Sequence, residues 1–322
     1  MGFWPSRVYR RYVRAHAGTA RDELLHPEGE LFADSKFGNI LIKYDSMPAW
    51  MRHSNLITLD NDDARFRAQN EAHFRRLLHV YRSDAADYTR AVKSRLNQIL
   101  ERLTGAALLA EIGATDSDLD IIPNWESRVN SHTTANDGAH ATARGKLIEY
   151  GDPDDLSVGE GGGSDSTIEF TPGMYTGSIM AREAKAPDEV LFHELVHASR
   201  QMRGVEDSMP VNAGYADEEE YLAVVLTNIY LSEKGQWRFR ASHGHWGADE
   251  DPKGANALLQ GGDADWFLRN VQHANLSPRQ LMENFKRSQP RFFSALAHLP
   301  PERPKFNPVR QYFKEQQGAF TM

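Results

Sequence analysis

Cysteine is absent from all 322 residues. That excludes a disulfide framework and any thiolate metal site, so a metal here must be held by His, Asp or Glu. It is also compatible with a chain that passes between compartments of different redox state. No apolar run approaches the ~20 residues that a membrane span needs, and the N-terminus lacks the apolar core of a secretory signal. The expectation is therefore no stable membrane insertion. An excess of positive charge is missing too: the formal net charge is -8, which argues against a nucleic-acid protein by bulk electrostatics. No internal repeat is visible.

What is present is ordinary globular material, 40% hydrophobic and 25% charged, enough to bury a sizeable core in one large domain or two average ones. Arg7, Arg10, Arg11 and Arg14 recur at helical spacing in an acid-free N-terminal stretch, read most simply as a solvated face. Asn39 to Tyr44 and Leu56 to Leu59 read as short strands. Between Asp62 and Leu103 the apolar residues take a helical period, with a break at Ser83 and Asp84. Ala106 to Ile112 reads as a short helix and Leu119 to Ile122 as a strand. Asn124 to Arg144 reads as a polar, breaker-rich section. Lys146 to Tyr150 and Thr167 to Thr171 read as a hairpin joined by a long, flexible, glycine-rich connection. The glycine run does not open a helix after a strand, which excludes a phosphate loop. Further helices are expected at 277–286 and 290–298, followed by a stiff, extended, Pro-rich tail. The division expected is a mainly helical region of unknown role at 1–104, a catalytic domain at 105–300 and the tail at 301–322.

The chemistry lies in Val190-Leu191-Phe192-His193-Glu194-Leu195-Val196-His197-Ala198. Pro187 suits a first helical turn, Asp188 and Glu189 complement its dipole, and Gly204 is a natural C-terminal stop. On such a helix His193 and His197 share one face and can grip one metal ion. Glu194 lies about 100° round from His193, within reach of a water at that metal. This is the layout of a zinc hydrolase with Zn2+ as its cofactor: two His ligands, a carboxylate base and an open position.

A third ligand is needed. The metzincin extension would require Gly at 200 and His at 203, where this chain has Arg200 and Arg203. The other common solution takes a Glu from a following helix. Glu220 lies 23 residues after His197, room for a turn and an antiparallel return along a helix running from Asp217 to about Lys234. Glu219 is the near alternative, and Glu220 also has a bland reading as a capping-box residue after Asp217. His243 and His245, in a polar loop, are outside candidates. They and Tyr215 are also candidates for the donor that stabilises the transition state, with Glu194 as base. Thr167 to Thr171 is the strand expected to receive an extended peptide.

The segment from Pro187 to Ala198, with Arg203-Gly204 and Glu219-Glu220-x-x-Ala223-Val224, resembles bacterial effector zinc metallopeptidases. The similar groups are NleD-type type III effectors and the peptidase domain of some type VI secretion spike proteins. The resemblance spans roughly residues 165–250. It implies an α+β, zincin-like fold with a small sheet packed on the H-E-x-x-H helix, one zinc held by His193, His197 and Glu220, and Glu194 as base. It also implies secretion from a bacterium into the cytosol or periplasm of a target cell, as an effector or toxin acting on a protein substrate. A secretion-system component or a cognate immunity protein would be a partner. Two other readings stay open: an amidase of cell-wall peptides, and a non-catalytic zinc-stabilised adaptor. The intact Glu194 argues against the adaptor, because a closed structural zinc site needs no base.

Overall fold

A computed structural model describes residues 29–32, 37–44, 85–124, 131–146, 148, 158–175, 186–208, 217–236 and 277–318. Expectations for the basic N-terminal run, for Leu56 to Leu59, for the first helix of the 62–103 pair, for most of the Lys146 to Tyr150 strand and for the polar loop with His243 and His245 fall outside them.

Strands β1 (Gly29–Leu31), β2 (Ile40–Lys43), β3 (Leu119–Ile122), β4 (His132–Ala135) and β5 (Ser166–Glu169) form one five-stranded sheet in the order β1-β2-β3-β5-β4. The pairs β1–β2 and β4–β5 are antiparallel, whereas β2–β3 and β3–β5 are parallel. Alternation sets the faces: Leu119, Ile121 and Ile168 are buried, while Asp120, Thr167 and Glu169 are partly exposed. The fold is thus α+β with a small mixed sheet.

Helices α1 (residues 85–100) and α2 (Leu103–Ile112) precede β3, and a single turn, α3 (Gly138–Ala141), follows β4. The central pair is α4 (Pro187–Arg203) and α5 (Glu218–Glu233), which pack on each other. Helix α4 also packs on β4 and β5, and α2 contacts both central helices. Every residue of α5 except Glu220 is buried, as expected for a helix enclosed on all sides. Helices α6 (Pro278–Ser288), α7 (Pro290–Ala297) and α8 (Pro308–Gly318) close the far side. One apolar cluster runs through all of it, from Val92, Leu96 and Ile99 on α1 to Val309 and Tyr312 on α8. No helix among the described residues is long and apolar enough to cross a membrane.

The two ends of α4 are built from the signals read in the sequence. Pro187 opens the helix, Asp188 and Glu189 occupy its first turn, and Gly204 ends it at φ 64° in the left-handed region. Asp188 accepts from the Tyr230 hydroxyl (2.6 Å) and the Lys234 ammonium (2.7 Å), and Lys234 also donates to Glu189 (2.7 Å). The start of α4 is thereby tied to the end of α5, so the two helices run antiparallel.

Three expectations change. Within the sheet, the neighbours of β5 are β3 and β4. It therefore pairs with a strand from the section read as breaker-rich, and it lies in the interior of the sheet instead of offering a free edge. The glycine-rich stretch is a close-fitting strap over the end of α4. Gly163 sits at φ 82°, and a Cβ there would lie 2.5 Å from the Met202 carbonyl oxygen. The Gly163 N–H donates to the His140 carbonyl (2.8 Å) and the Ser164 N–H to that of Gln201 (3.1 Å). Finally, the C-terminal stretch is not extended throughout: Pro308 starts helix α8, whose Val309 and Tyr312 are buried.

Candidate metal centre

Helix α4 places His193 and His197 one turn apart, with ring planes 77° apart and centroids 4.9 Å apart. Their Nε2 atoms are 3.2 Å from each other. The antiparallel return of α5 brings its first turn alongside. Glu220 presents Oε2 at 3.2 Å from His193 Nε2 and Oε1 at 3.7 Å from His197 Nε2. The three side chains form a cluster whose ligand atoms all lie within 4.8 Å of one another and which could hold a metal ion. Zn–N and Zn–O bonds near 2.0–2.1 Å in a tetrahedral arrangement require ligand atoms about 3.4 Å apart. The two imidazole nitrogens are 3.2 Å apart, and a Glu220 oxygen, a different one in each case, lies 3.2 Å from His193 and 3.7 Å from His197. These spacings are near that value, so the three side chains could hold such an ion.

Charge points the same way. Burial alone would lower the pKa of His197, yet the carboxylates of Glu220, Glu194, Glu219 and Asp217 together hold it above the ordinary value. Carboxylates gathered round a buried imidazole favour a cation there.

Glu219 and Glu220 separate cleanly. Glu219 is buried and accepts from Arg200 Nε at 2.7 and 2.5 Å, and its Oε1 also accepts from the Asp207 N–H at 2.7 Å. Arg200, itself 2% exposed, donates further to the Val205 carbonyl at 2.8 Å. Glu220 uses its backbone N–H on the Asp217 cap (2.8 Å) while its carboxylate faces the histidines. The capping reading and the ligand reading thus fall on different atoms of one residue.

Glu194 is buried beside the cluster. Its Oε2 accepts a 2.7 Å hydrogen bond from the Thr133 hydroxyl on β4. The sequence reading missed Thr133. Its signal was the β-branched pair Thr133-Thr134 inside an otherwise polar stretch. Tyr215, His243 and His245 lie outside the described residues. The other two histidines of the section before β5 are elsewhere: His132 faces Glu169 at 3.7 Å, and His140 sits between Asp137 and Glu160 at 2.9 and 3.3 Å.

The chain matches the family model Peptidase_M91, described as effector protein, over residues 76–233. The match covers just under half of the chain and includes β3, β4, β5, α4 and α5, hence the whole His193, His197 and Glu220 cluster. Over these residues the chain is similar to a peptidase family of effectors, which supports a protease. No curated protein and no solved structure gives a significant match.

Proposed function

We propose that this protein is a zinc-dependent endopeptidase that hydrolyses a peptide bond in a protein target, delivered as an effector or toxin from a bacterium into another cell. The observation that carries the reading is the His193, His197 and Glu220 cluster with the Glu194 carboxylate held beside it. His193, His197 and Glu220 would hold the zinc. When bound, the ion supplies Lewis-acid polarisation of the scissile carbonyl and lowers the pKa of a water towards about 7. Glu194 accepts the proton of the attacking water and returns it to the leaving amine. Tyr215, His243 or His245 would be the donor for the developing oxyanion.

The sheet supports an extended substrate, on a different strand from the one the sequence suggested. The N–H groups of Ser166 and Phe170 donate to β3, to the Asp118 and Ile122 carbonyls at 3.0 and 2.8 Å. The Asn136 N–H donates to the Asp165 carbonyl at 2.9 Å. These bonds set the parity of the β4–β5 ladder: His132, Thr134 and Asn136 turn their backbone groups to β5, and Thr133 and Ala135 turn theirs away. Among the described residues β4 is the end strand on this side, and α4 packs against it. A substrate strand would add there, pairing with Thr133 and Ala135. The partners in this reading are the protein substrate, a secretion-system component for delivery and a cognate immunity protein.

The test is cleavage of labelled casein and of a peptide library by the zinc-loaded protein. Wild type should cleave, and Glu194→Ala should lose about 10²–10⁴-fold in rate with its zinc retained. Cleavage by the variant at the wild-type rate would remove Glu194 from the mechanism.

A further inference from the structure

We propose that Thr133 is a positioning residue for the general base, and that it sets the base and the substrate strand in one register; this rests on the peptidase reading above. The Thr133 hydroxyl lies 2.7 Å from Glu194 Oε2 and 3.1 Å from the Glu194 carbonyl oxygen. A hydroxyl has one proton to give, and the shorter contact is to the charged acceptor, which makes the stronger bond. The proton therefore goes to the carboxylate, and one oxygen of Glu194 is committed to Thr133.

The strand is suited to this. Side chains alternate along β4, so Thr133 and Ala135 share the face towards α4 while His132 and Thr134 are exposed. Ala135 has no polar side-chain atom, which leaves Thr133 as the one side chain of β4 that can hydrogen-bond on that face. The hydroxyl is held in place by what fixes the strand. The Ser131 hydroxyl donates to the Glu169 carbonyl (2.6 Å) at one end, and the Asn136 N–H donates to Asp165 (2.9 Å) at the other.

Thr133 has a second relation to the reaction. By the parity of the ladder its N–H and C=O point to the outer edge, where a substrate strand would pair. Its side chain fixes the base and its backbone fixes the peptide, so the spacing between carboxylate and scissile bond is set through a single residue. A bystander threonine that merely satisfies its own hydroxyl would bond a nearby carbonyl equally well, and removing it would cost stability without touching the base.

Thr133→Val keeps the shape and the β-branching and removes the donor, and Thr133→Ser keeps the donor. Both are made in the full-length chain, and melting temperature and bound zinc establish that each folds. Crystal structures of the zinc-loaded proteins should show the Glu194 carboxylate displaced or split between rotamers in Thr133→Val and in its wild-type place in Thr133→Ser. On a fluorogenic peptide recovered from a library with the wild-type enzyme, Thr133→Val should lose about tenfold or more in kcat with KM within about twofold. Thr133→Ser should recover to within about threefold of wild type. An undisplaced Glu194 in Thr133→Val, a kcat within about twofold of wild type, or equal impairment of the two variants would overturn the proposal. If wild type cleaves no peptide, the peptidase reading fails on its own account, and the crystallographic comparison still decides whether Thr133 holds Glu194.

Discussion

Glu219 and Glu220 are neighbours on α5, and a rotation of about 100° sends their carboxylates to different partners. Glu220 faces the two imidazoles, whereas Glu219 is enclosed with Arg200 and the Asp207 N–H. Replacing Glu219 therefore has a different consequence from replacing a metal ligand. Glu219→Gln leaves the Arg200 charge buried without its counter-ion, and breaking such a pair costs about 3–5 kcal/mol. Denaturant unfolding should show that loss, while the zinc content of the folded fraction stays at the wild-type level. A fall in zinc with stability unchanged would mean that the ligand is Glu219. In the sequence the choice between the two stayed open, because three consecutive glutamates blur the helical register by one residue. What separates the two side chains is the neighbour, Arg200, and a contact between residues nineteen apart in sequence is not carried by periodicity.

Titration belongs to the residue scale as well. Asp118, at the entry to β3, has its carboxyl pushed up to about 6, by burial first and then by the charges of Asp165 and Asp120, with Lys43 opposing. A folded-state pKa above the unfolded one means that the protonated carboxyl stabilises the fold. That contribution is fully present below about pH 4 and is lost as pH rises through about 6. Because Asp118 is only half-buried, the effect is on the order of 1 kcal/mol or less, smaller than the bare shift implies. Asp118→Asn should raise the melting temperature at pH 7 relative to wild type and flatten its decline between pH 4 and 7. An unchanged difference between the two proteins across that range would contradict the assignment.

At the scale of elements, the two central helices were readable because their end signals are local. Pro187 and Gly204 bound α4, and Asp217 caps α5 by accepting from the Glu220 N–H. Helices α6 and α7 were readable for the same reason, each opening with proline. The sheet was not readable to that depth. Strand β4 is four residues, His132 to Ala135, with no buried side chain, so it carries little apolar alternation. Its identity as a strand comes from β5, thirty residues on. The glycines before β5 misled in the same way. Glycine suits a flexible linker and also suits a place where two backbones nearly touch. Here the second use holds, at Gly163 against Met202 and at Gly204 against Gly163. Gly163→Ala should destabilise the protein by about 1–3 kcal/mol, through the clash and the positive φ together. Gly173→Ala, whose added Cβ meets nothing within 4 Å, is the control in the same unfolding experiment. Equal stability of the two variants would show that the strap is loose.

For the whole molecule, the feature that matters is that the cluster of His193, His197 and Glu220 sits between a buried helix and the end of a sheet. Helix α5 is enclosed by the apolar core, so Glu220 is delivered from a rigid element. The first turn of α4 is locked to the last turn of α5 through Asp188, Glu189, Tyr230 and Lys234. At the other end Arg200 locks α4 to Glu219. His193, His197 and Glu220 lie between these two ties, which limits how far the helices can slide. The chain's α+β class was legible, since helical and alternating patterns both occur in it. The strand order was not, because parallel pairing of β2, β3 and β5 joins segments separated by long stretches of chain. Among the described residues one apolar core includes side chains from α1 to α8.

The central claim is that His193, His197 and Glu220 hold zinc while Glu194 acts beside it without holding it. Bound zinc per chain, measured by elemental analysis after dialysis for Glu194→Ala and Glu220→Ala side by side, tests this most directly. About one zinc is expected in Glu194→Ala and far less in Glu220→Ala, since loss of a ligand should exceed the 10–100-fold affinity loss typical of outer-shell partners. Full zinc in Glu220→Ala, or its loss from Glu194→Ala, would contradict it.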